Sequence, residues 1–312
     1  MDIEYSHIPV LLEEVISGLD IKSDGIYVDC TIGGGGHSSQ ILQRLSKTGH
    51  LYGFDRDADA IATCRDRLSQ FENLTIIHSD YRQATDRLRE MGVSKVDGVL
   101  IDLGVSSYQL DSTERGFSIM HDGRLDMRFD RDQTLDAFTV VNSYPREKLI
   151  DILQKYGEEW NARKIVDNII AARQTAAIET TGQLKEIIEK SFPKSAIYGK
   201  GGLSKKTFQA IRIEVNRELE GLDQALEKLI DLLASGGRMA VITFHSLEDR
   251  IVKNIFKKEC TDCICPPRTP VCICGHKAKI KLVNKKPITA SSQELAKNSR
   301  SSSAKLRIVE KL

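Results

Sequence analysis

The stretch that decides the fold is Val28–His37, with the sequence VDCTIGGGGH. It runs from an apolar segment through four consecutive glycines into a segment of helical character. Glycines at such a junction let the backbone turn tightly and approach a ligand closely, and they leave the amide groups at the start of the helix exposed. The pattern predicts a strand–turn–helix unit with a nucleotide site, although a glycine-rich turn alone is a weak signal.

Apolar segments around this stretch predict a parallel sheet. They are rich in Val, Ile and Leu with little alternation, which is typical of strands buried on both faces. Helical segments separate the first four, and this β-α-β-α order predicts an α/β fold with a doubly wound, mostly parallel, Rossmann-like sheet. The predicted strands are Ile26–Thr31, His50–Asp55, Leu74–Asp80, Val96–Leu103, Arg238–His245, Ala278–Val283 and Lys305–Glu310.

An inserted all-helical domain is expected between the fourth and fifth strands. About 130 residues separate Leu103 from Arg238, whereas a crossover between parallel strands needs only about a dozen. Apolar residues recur at steps of three and four from Phe208 to Leu233, and Gly221 is expected to divide this pattern into two helices. We therefore expect a discontinuous sheet domain over residues 1–112 and 221–312 and a helical insertion over residues 113–220. Further predicted helices are Ser38–Leu45, Ala58–Phe71, Arg82–Met91, Lys148–Tyr156, Glu159–Arg173, Gln183–Ser191 and Leu247–Lys258.

Asp55 ends the second predicted strand, 22 positions after Gly33. A carboxylate at this place can accept hydrogen bonds from both ribose hydroxyls of a nucleotide, so Asp55 favours a ribose-bearing cofactor without a 2′-phosphate. No Lys-Ser or Lys-Thr pair follows the glycines, which excludes a phosphate-loop NTPase. NAD and S-adenosylmethionine remain, and four consecutive glycines followed by His37 favour the methyl donor over the spaced glycines of an NAD site.

Charge is distributed unevenly along the 312 residues, although the formal net charge is only +1. Residues 250–312 hold 15 Lys and Arg against 4 Asp and Glu, whereas residues 1–249 hold 30 against 40. A basic end can bind phosphates or simply be a solvated tail, and charge alone leaves both open. No apolar run approaches the ~18 residues of a membrane span, and residues 1–5 do not resemble a signal peptide, so a cytoplasmic protein without membrane contact is expected.

Five of the seven cysteines lie within fifteen residues of one another. Together with a histidine they offer six soft ligands, of which zinc needs four. Zinc binding and reduced surface thiols both remain open, since the spacing differs from paired C-x2-C motifs. No metal is expected in the cofactor or substrate site. The six candidate ligands are Cys260, Cys263, Cys265, Cys272, Cys274 and His276.

Seven stretches together resemble the RsmH/MraW family, the small-subunit ribosomal RNA methyltransferases H. The resemblance runs nearly from end to end, and its last stretch and its glycine-rich stretch are specific to that family. It implies a class I methyltransferase fold interrupted by a helical domain. It also implies methyl transfer from S-adenosyl-L-methionine to the N4 amine of a cytidine in 16S rRNA near the decoding centre. The stretches are His7–Leu12, Gly33–Ser38, Asp102–Ser107, Glu114–Ser118, Asp122–Arg128, Thr207–Ile213 and Phe244–Lys253.

The resemblance also implies a set of cofactor contacts. Tyr81 follows the third strand, where an aromatic ring can stack on adenine. The chain departs from the family pattern at two places: Tyr81 stands where phenylalanine is common, and Tyr108 stands where proline is common. Neither change removes a needed group. The implied contacts are Gly35, Gly36, His37, Asp55, Tyr81, Asp102 and Gln109.

Asp102 and His245 are the candidate catalytic residues. The N4 amine of cytosine is a poor nucleophile, so the enzyme must align amine, methyl and sulfur and accept the hydrogens of the amine as positive charge builds. Asp102, at the carboxyl end of the fourth strand, is placed for this role; a helix-capping aspartate is the alternative. His245 ends the fifth strand at the same edge of the sheet, where it either orients the base or a phosphate or is structural.

Four residues of the insertion are candidate RNA contacts on the strength of the resemblance: Asp126, Arg128, Arg212 and Asn216. Without the resemblance, the pattern predicts that Arg212 and Asn216 lie on a solvent-exposed face of a helix. The partner is then 16S rRNA in the small ribosomal subunit, and the oligomeric state, monomer or homodimer, stays open. Two other functions remain as alternatives: an NAD-dependent oxidoreductase with the same nucleotide fold, and a non-catalytic RNA-binding factor of ribosome assembly.

Overall fold

A seven-stranded sheet organises the chain in the computed structural model, which describes residues 9–193, 202–266, 269 and 271–312. Each strand lies where the apolar segments predict one, and the ends differ by a few residues. The longest extension is at β5, which begins five residues before the predicted start and shifts register against β4 between Val96 and Gly98. The strands are β1 (Ile26–Asp29), β2 (His50–Asp55), β3 (Leu74–His78), β4 (Val96–Asp102), β5 (Leu233–Thr243), β6 (Ile280–Leu282) and β7 (Lys305–Lys311).

The strand order is β3-β2-β1-β4-β5-β7-β6. The first five neighbours pair in parallel, and β7 pairs antiparallel with both β5 and β6. The expected doubly wound, mostly parallel sheet is therefore confirmed. The order reverses between β1 and β4, and ligands of such sheets bind beside the carboxyl ends of the strands at this reversal.

Both faces of the sheet are buried, as continuous apolar strands require. Successive residues of one strand belong to different core clusters: Val28 and Val99 pack on one face, whereas Tyr27 and Leu100 pack on the other. Helices cover these faces, and those predicted from the sequence are present. They are α2 (Gly36–Leu42), α3 (Ala58–Arg67), α4 (Ala84–Glu90), α11 (Leu222–Leu232) and α12 (Ser246–Glu259).

Two short helices of the sheet unit escaped the sequence analysis, α1 (Leu12–Leu19) and α13 (Ser292–Lys297). The residue that caps α1 is Leu11, in a left-handed conformation with φ 53° and without a side-chain cap. A leucine at this position gives no recognisable start signal. The family stretch before α1 begins with His7 and Ile8, which lie outside the described residues.

The chain divides into two compact units, Met1–Gly104 with Glu220–Leu312, and Val105–Leu219. The second unit has its own apolar core, and its described residues form helices without any strand of the sheet. No described helix of either unit has the length and apolarity needed to cross a membrane. Among the residues that the structure describes, the α-helices of the second unit are α5 (Ser107–Asp111), α6 (Ala137–Ser143), α7 (Arg146–Gly157), α8 (Ala162–Thr175), α9 (Thr181–Lys190) and α10 (Lys205–Asn216).

Gly221 separates two helices, as expected. Helix α10 ends at Asn216, and Gly221, with φ 70°, is the residue before α11. Two apolar positions depart from the prediction: Leu219 lies in the turn between α10 and α11, and Leu233 begins β5 instead of ending the helix.

Asn216, at the end of α10, fixes an irregular segment of the helical unit. Its Nδ2 donates to the carbonyl of Met127 at 2.6 Å, and its Oδ1 accepts from the amide of Phe129 at 2.7 Å. Met127 between these bonds has φ 58°, a conformation that costs energy for a residue with a side chain. The buried amide of Asn216 therefore holds residues 127–129 in a shape they would not adopt alone.

We expect Asn216→Ala to lower the free energy of unfolding by at least about 2 kcal/mol, because it deprives two backbone groups of a buried partner. Asn168→Ala is the matched control: Asn168 is only half-buried and donates one bond, to Ser191 Oγ at 2.8 Å, so its loss costs about 1 kcal/mol or less. Urea unfolding of both variants measures the difference. Equal losses would contradict the structural role of Asn216.

Candidate active site

Three aspartates meet at the carboxyl edge of the sheet, where β1, β2 and β4 end. Asp29 pairs in register with Gly53 of β2 and with Leu100 of β4, so Asp55 and Asp102 follow within two residues on the neighbouring strands. The hydroxyl of Thr31 accepts the amide of Asp102 at 2.7 Å and ties the ends of β1 and β4 together. Asp55 and Asp102 are candidate site residues from the sequence, whereas Asp29 and Thr31 are not recognisable there.

The glycine turn wraps around Asp55. The amide of Gly33 donates to Asp55 Oδ2 at 2.9 Å, and the amide of Asp57 donates to Oδ1 at 2.9 Å. Each carboxylate oxygen can accept a second bond, so both retain a site for a ligand hydroxyl. Burial raises the pKa of Asp55 above its ordinary value, partly offset by these amides.

Close packing requires two of the glycines. Gly35 has φ 75°, and a Cβ there would lie 2.8 Å from Leu68 Cδ1. A Cβ on Gly36 would lie 2.5 Å from the ring of Pro9. A Cβ on Gly34, in contrast, would have no atom within 4 Å, so the turn has one packed side and one open side.

His37 is anchored to the N-terminal segment. Its Nε2 lies 3.0 Å from the carbonyl of Val10, and because a carbonyl only accepts, Nε2 carries the hydrogen. Leu11, the next residue after Val10, donates its amide to Glu294 Oε1 at 2.8 Å across 283 positions of sequence. The other ring nitrogen, Nδ1, lies 3.7 Å from Asp102 Oδ2, too long for a direct hydrogen bond.

Asp102 has an unusual environment for a carboxyl group. About a quarter of its side chain is exposed, yet Oδ1 is buried and has no hydrogen-bond partner among the described residues. Burial, together with the negative charges of Asp29 and Glu248, raises the pKa of Asp102 to about 8. A polar atom left in this state is a recurrent mark of ligand-binding and catalytic positions.

Asp29 lies beneath this site, fully buried. Its carboxylate accepts the hydroxyl of Ser38 at 2.7 Å and the amide of Thr31 at 3.1 Å. Burial nevertheless raises the pKa of Asp29 to about 6. The available sequence signal was an aspartate four positions before the first glycine of the turn, and the pattern predicted it only as part of a strand.

Tyr81 begins a short 3-10 helix, Tyr81–Gln83, three residues after the end of β3. Its side chain is partly buried against the core cluster of this face of the sheet, and burial raises the pKa of its hydroxyl. The preceding Asp80 accepts the amide and the guanidinium of Arg82. Tyr81 thus lies beyond the carboxyl end of β3, whose last residue, His78, pairs with Asp55 of β2.

His245 caps helix α12. Its Nδ1 accepts the amide of Glu248 at 3.4 Å, while Glu248 Oε2 accepts the amides of Phe244 and His245 at 2.9 and 3.3 Å. The Nε2 atom lies 3.1 Å from Glu248 Oε1, although without hydrogen-bond alignment. This capping role is a structural function that sequence reasoning did not predict, and the catalytic role of His245 stays a prediction.

The candidate residues of the helical unit all have partners within that unit. Gln109 is buried and forms a capping box with Ser106 at the start of α5. Asp126 receives two bonds from Arg128, at 2.7 and 2.9 Å. Arg212 likewise donates twice to Glu218, at 2.8 and 2.9 Å.

A cavity of about 350 Å³ opens beside the Asp126–Arg128 pair. Three arginines contribute to its wall, and Arg124 keeps two thirds of its side chain exposed. Such a wall is suited to an anionic group. The lining residues are Thr113, Glu114, Gly123, Arg124, Asp126, Arg128 and Arg131.

The structure thus brings Gly35, Gly36, His37, Asp55 and Asp102 together at one edge of the sheet. In the helical unit, separate hydrogen bonds join Asn216 to residues 127–129 and to the Arg212 carbonyl. Their roles in binding and catalysis remain predictions.

Comparison with known proteins identifies the family to which the chain belongs. Residues 4–312 match the model of the MraW methylase family. A Clostridium botulinum (strain Kyoto / Type A2) protein named ribosomal RNA small subunit methyltransferase H is 52% identical over 309 residues, 99% of this chain and 100% of that protein. A protein of the same name from Finegoldia magna is 49% identical over 311 residues and covers 99% of both chains.

Among solved structures, an rRNA methylase from Streptococcus thermophilus covers 96% of this chain and 93% of its own, at 14% identity and a TM-score of 0.40. A likeness at this level carries no argument about activity. The match of the family model over nearly the whole chain and the relatives near 50% identity suffice: the chain belongs to the MraW methylase family, whose methyl donor is S-adenosylmethionine.

Proposed function

We propose that the chain transfers the methyl group of S-adenosylmethionine to the exocyclic N4 amine of one cytidine in 16S rRNA, near the decoding centre of the small subunit. The names of the relatives support a ribosomal RNA substrate. Membership of a methylase family favours this function over an NAD-dependent oxidoreductase and over a non-catalytic assembly factor. The observation that carries the proposal is the unpaired, buried carboxyl oxygen of Asp102 beside the glycine turn.

The residues at the sheet edge fit the methyl donor. In this proposal the free acceptor sites of Asp55 bind the ribose hydroxyls, and the open side of the turn at Gly34 admits the ligand. Tyr81 stacks on the adenine. Gly35, Gly36, His37, Asp102 and Gln109 are the other proposed cofactor contacts.

S-adenosylmethionine supplies a methyl group that is already activated by the sulfonium. The chain must therefore mainly hold the amine in line and relieve the positive charge that builds on it. In its ionised form Asp102 accepts a hydrogen bond from the amine, and the proton that leaves the methylated nitrogen goes to this carboxylate. With a pKa of about 8, the carboxylate that can accept this proton forms as the pH rises towards 8. His245 is proposed to orient the base from the end of β5.

We propose residues 113–220 as the RNA-substrate domain. Because Asp126, Arg128, Arg212 and Asn216 all bond within this unit, they shape the RNA-binding surface in the proposal, and the exposed Arg124 at the cavity meets a phosphate. A paired cytosine hides its N4 atom, so the target base must be unpaired or flipped out.

The basic end of the chain supplies further phosphate contacts in this proposal. Several of its cations pair internally, for example Arg307 with Asp249 and Lys281 with Glu310. In the part of the chain that the structure describes, the exposed Lys253, Lys257 and Lys285 have no ion pair. RNA binding should therefore weaken steeply with salt, and a ribosomal substrate implies a cytoplasmic location.

The function is tested by mass spectrometry of nucleosides from 16S rRNA of cells with and without the gene. We expect N4-methylated cytidine to be lost on deletion and restored by the intact gene but not by a gene carrying Asp102→Asn. A methyl group on C5 or on ribose, or equal transfer to protein substrates, would overturn the proposal.

Asp55→Ala should weaken binding of S-adenosylmethionine about thirty- to a thousandfold, because two charge-assisted hydrogen bonds are worth about 2–4 kcal/mol. Asp57→Ala is the matched control: Asp57 caps α3 by accepting the amide of Asp59, so its loss destabilises the same region without touching the ribose. Calorimetric titration measures both variants. Equal affinities of the two, or binding of NAD by the parent protein, would refute the placement.

Asp102→Asn should lower kcat/KM for methyl transfer at least ~100-fold. In the parent enzyme, kcat/KM should rise with pH up to about 8 as the Asp102 carboxylate forms. Asp29→Asn should shift this rise to lower pH, because it removes a charge that raises the pKa of Asp102. If the pH profile of kcat/KM is not shifted in this variant, the rise with pH reflects the ionisation of a group other than Asp102.

Asp102→Asn should also stabilise the fold above about pH 4. The folded protein retains the Asp102 proton up to about pH 8, whereas the unfolded chain loses it near pH 4, so ionisation costs stability increasingly across this window. The asparagine variant lacks that cost. The difference in melting temperature should therefore grow from pH 4 to pH 8 and then level off, and a difference that is constant with pH would contradict the assignment.

A further inference from the structure

The segment between α12 and β6 has little apolar core to hold it. It runs from Glu259 to Lys279, and the amide of Lys279 donates to the carbonyl of Glu259 at 2.8 Å. Most of its described residues are exposed, including three large apolar side chains. Ile264 is 47% exposed, Val271 72% and Ile273 84%. Hydrophobic burial therefore does not explain how the described residues of this segment come together.

Four sulfur atoms converge inside the segment instead. The Sγ atoms of Cys263, Cys265, Cys272 and Cys274 all lie within 4.8 Å of one another. Three of the separations are 4.0 Å (Cys265 to Cys272), 3.5 Å (Cys272 to Cys274) and 3.9 Å (Cys274 to Cys263). A tetrahedron of sulfurs around zinc, with Zn–S bonds of about 2.3 Å, has edges of about 3.8 Å. The cluster already has the dimensions of such a site.

These distances do not fit disulfides. A disulfide bond measures about 2.05 Å, and all seven cysteines of the chain are free. Ile264 and Ile273, each between two cysteines, expose their side chains to solvent. Neighbouring side chains of an extended segment point to opposite sides, so the two sulfurs of each C-x-C pair point towards the other pair.

Backbone amides complete the environment of the sulfurs. The amide of Ile264 points at Cys274 Sγ and that of Ile273 at Cys265 Sγ, each at 3.4 Å. Amide–sulfur bonds of this kind stabilise thiolates and orient metal ligands. They cross between the two C-x-C pairs, so each pair supports a sulfur of the other.

We propose that Cys263, Cys265, Cys272 and Cys274 bind one zinc ion as four thiolates. Cys260 and His276, the other two candidates from the sequence, lie outside this ligand set. Cys260 packs against the core of the sheet unit, and His276 Nε2 is bonded to the carbonyl of Lys258 at 3.0 Å. A site with four protein ligands has no open position for substrate, so this zinc orders the segment and takes no part in methyl transfer.

The test is metal analysis of the full chain purified under reducing conditions without chelators. We expect about one zinc per chain. Cys272→Ser and Cys274→Ser should each reduce the bound zinc at least fivefold, whereas the matched controls Cys260→Ser and His276→Gln should retain it. Replacing zinc with Co²⁺ should give the visible absorption of a tetrahedral tetrathiolate site.

Four outcomes would overturn the proposal. They are the absence of metal after zinc is supplied, iron in place of zinc, loss of zinc in a control variant, and disulfide formation. Disulfides would make the mass of the intact protein about two or four Da lower than that of the fully reduced chain. Methyl transfer is measured in parallel on the zinc-free variants. Since S-adenosylmethionine binding does not depend on this site, a folded variant without zinc should bind the cofactor with unchanged affinity. The metal proposal is thereby tested independently of the proposed function.

Discussion

The pairing of β1 with both β2 and β4 is the constraint on which the rest of the sheet unit depends. Parallel pairing brings the carboxyl ends of three strands to one edge, and the Thr31–Asp102 hydrogen bond locks the ends of β1 and β4 together. This register determines the positions of the three aspartates that end these strands and of the glycine turn that follows β1. A slip of one residue would turn Asp102 into the opposite core.

The cost of this arrangement is electrostatic. Asp29, Asp55 and Asp102 end neighbouring strands, and burial raises the pKa of each. A fold selected only for stability would not keep Asp102 buried with an unpaired oxygen. The buried carboxyl groups therefore lower the stability of the fold at this edge of the sheet, and such destabilising groups are common at functional sites.

Sequence patterns predicted the sheet well because its strands are short apolar runs with little alternation, and helical segments separate the first four. They predicted the glycine turn and Asp55, because 22 positions between Gly33 and Asp55 are typical of a nucleotide-binding strand–turn–helix–strand unit. They missed Asp29, whose importance arises only when β4 lies beside β1. They also missed the capping role of His245, because imidazole is an uncommon cap. The partners of Arg212 and Asn216 were equally hidden, since an amphipathic pattern shows which face is polar but not what the polar groups bond to.

The hydrogen bond from Leu11 to Glu294 has a consequence for how the protein is made. It holds the segment that anchors His37, yet it joins residues 283 positions apart. Strand β7, near the other end of the chain, must also pair with β5 to complete the sheet. During synthesis the glycine turn therefore acquires its full set of supports only when nearly the whole chain has left the ribosome. Until then the nascent protein lacks these supports at the carboxyl edge of the sheet.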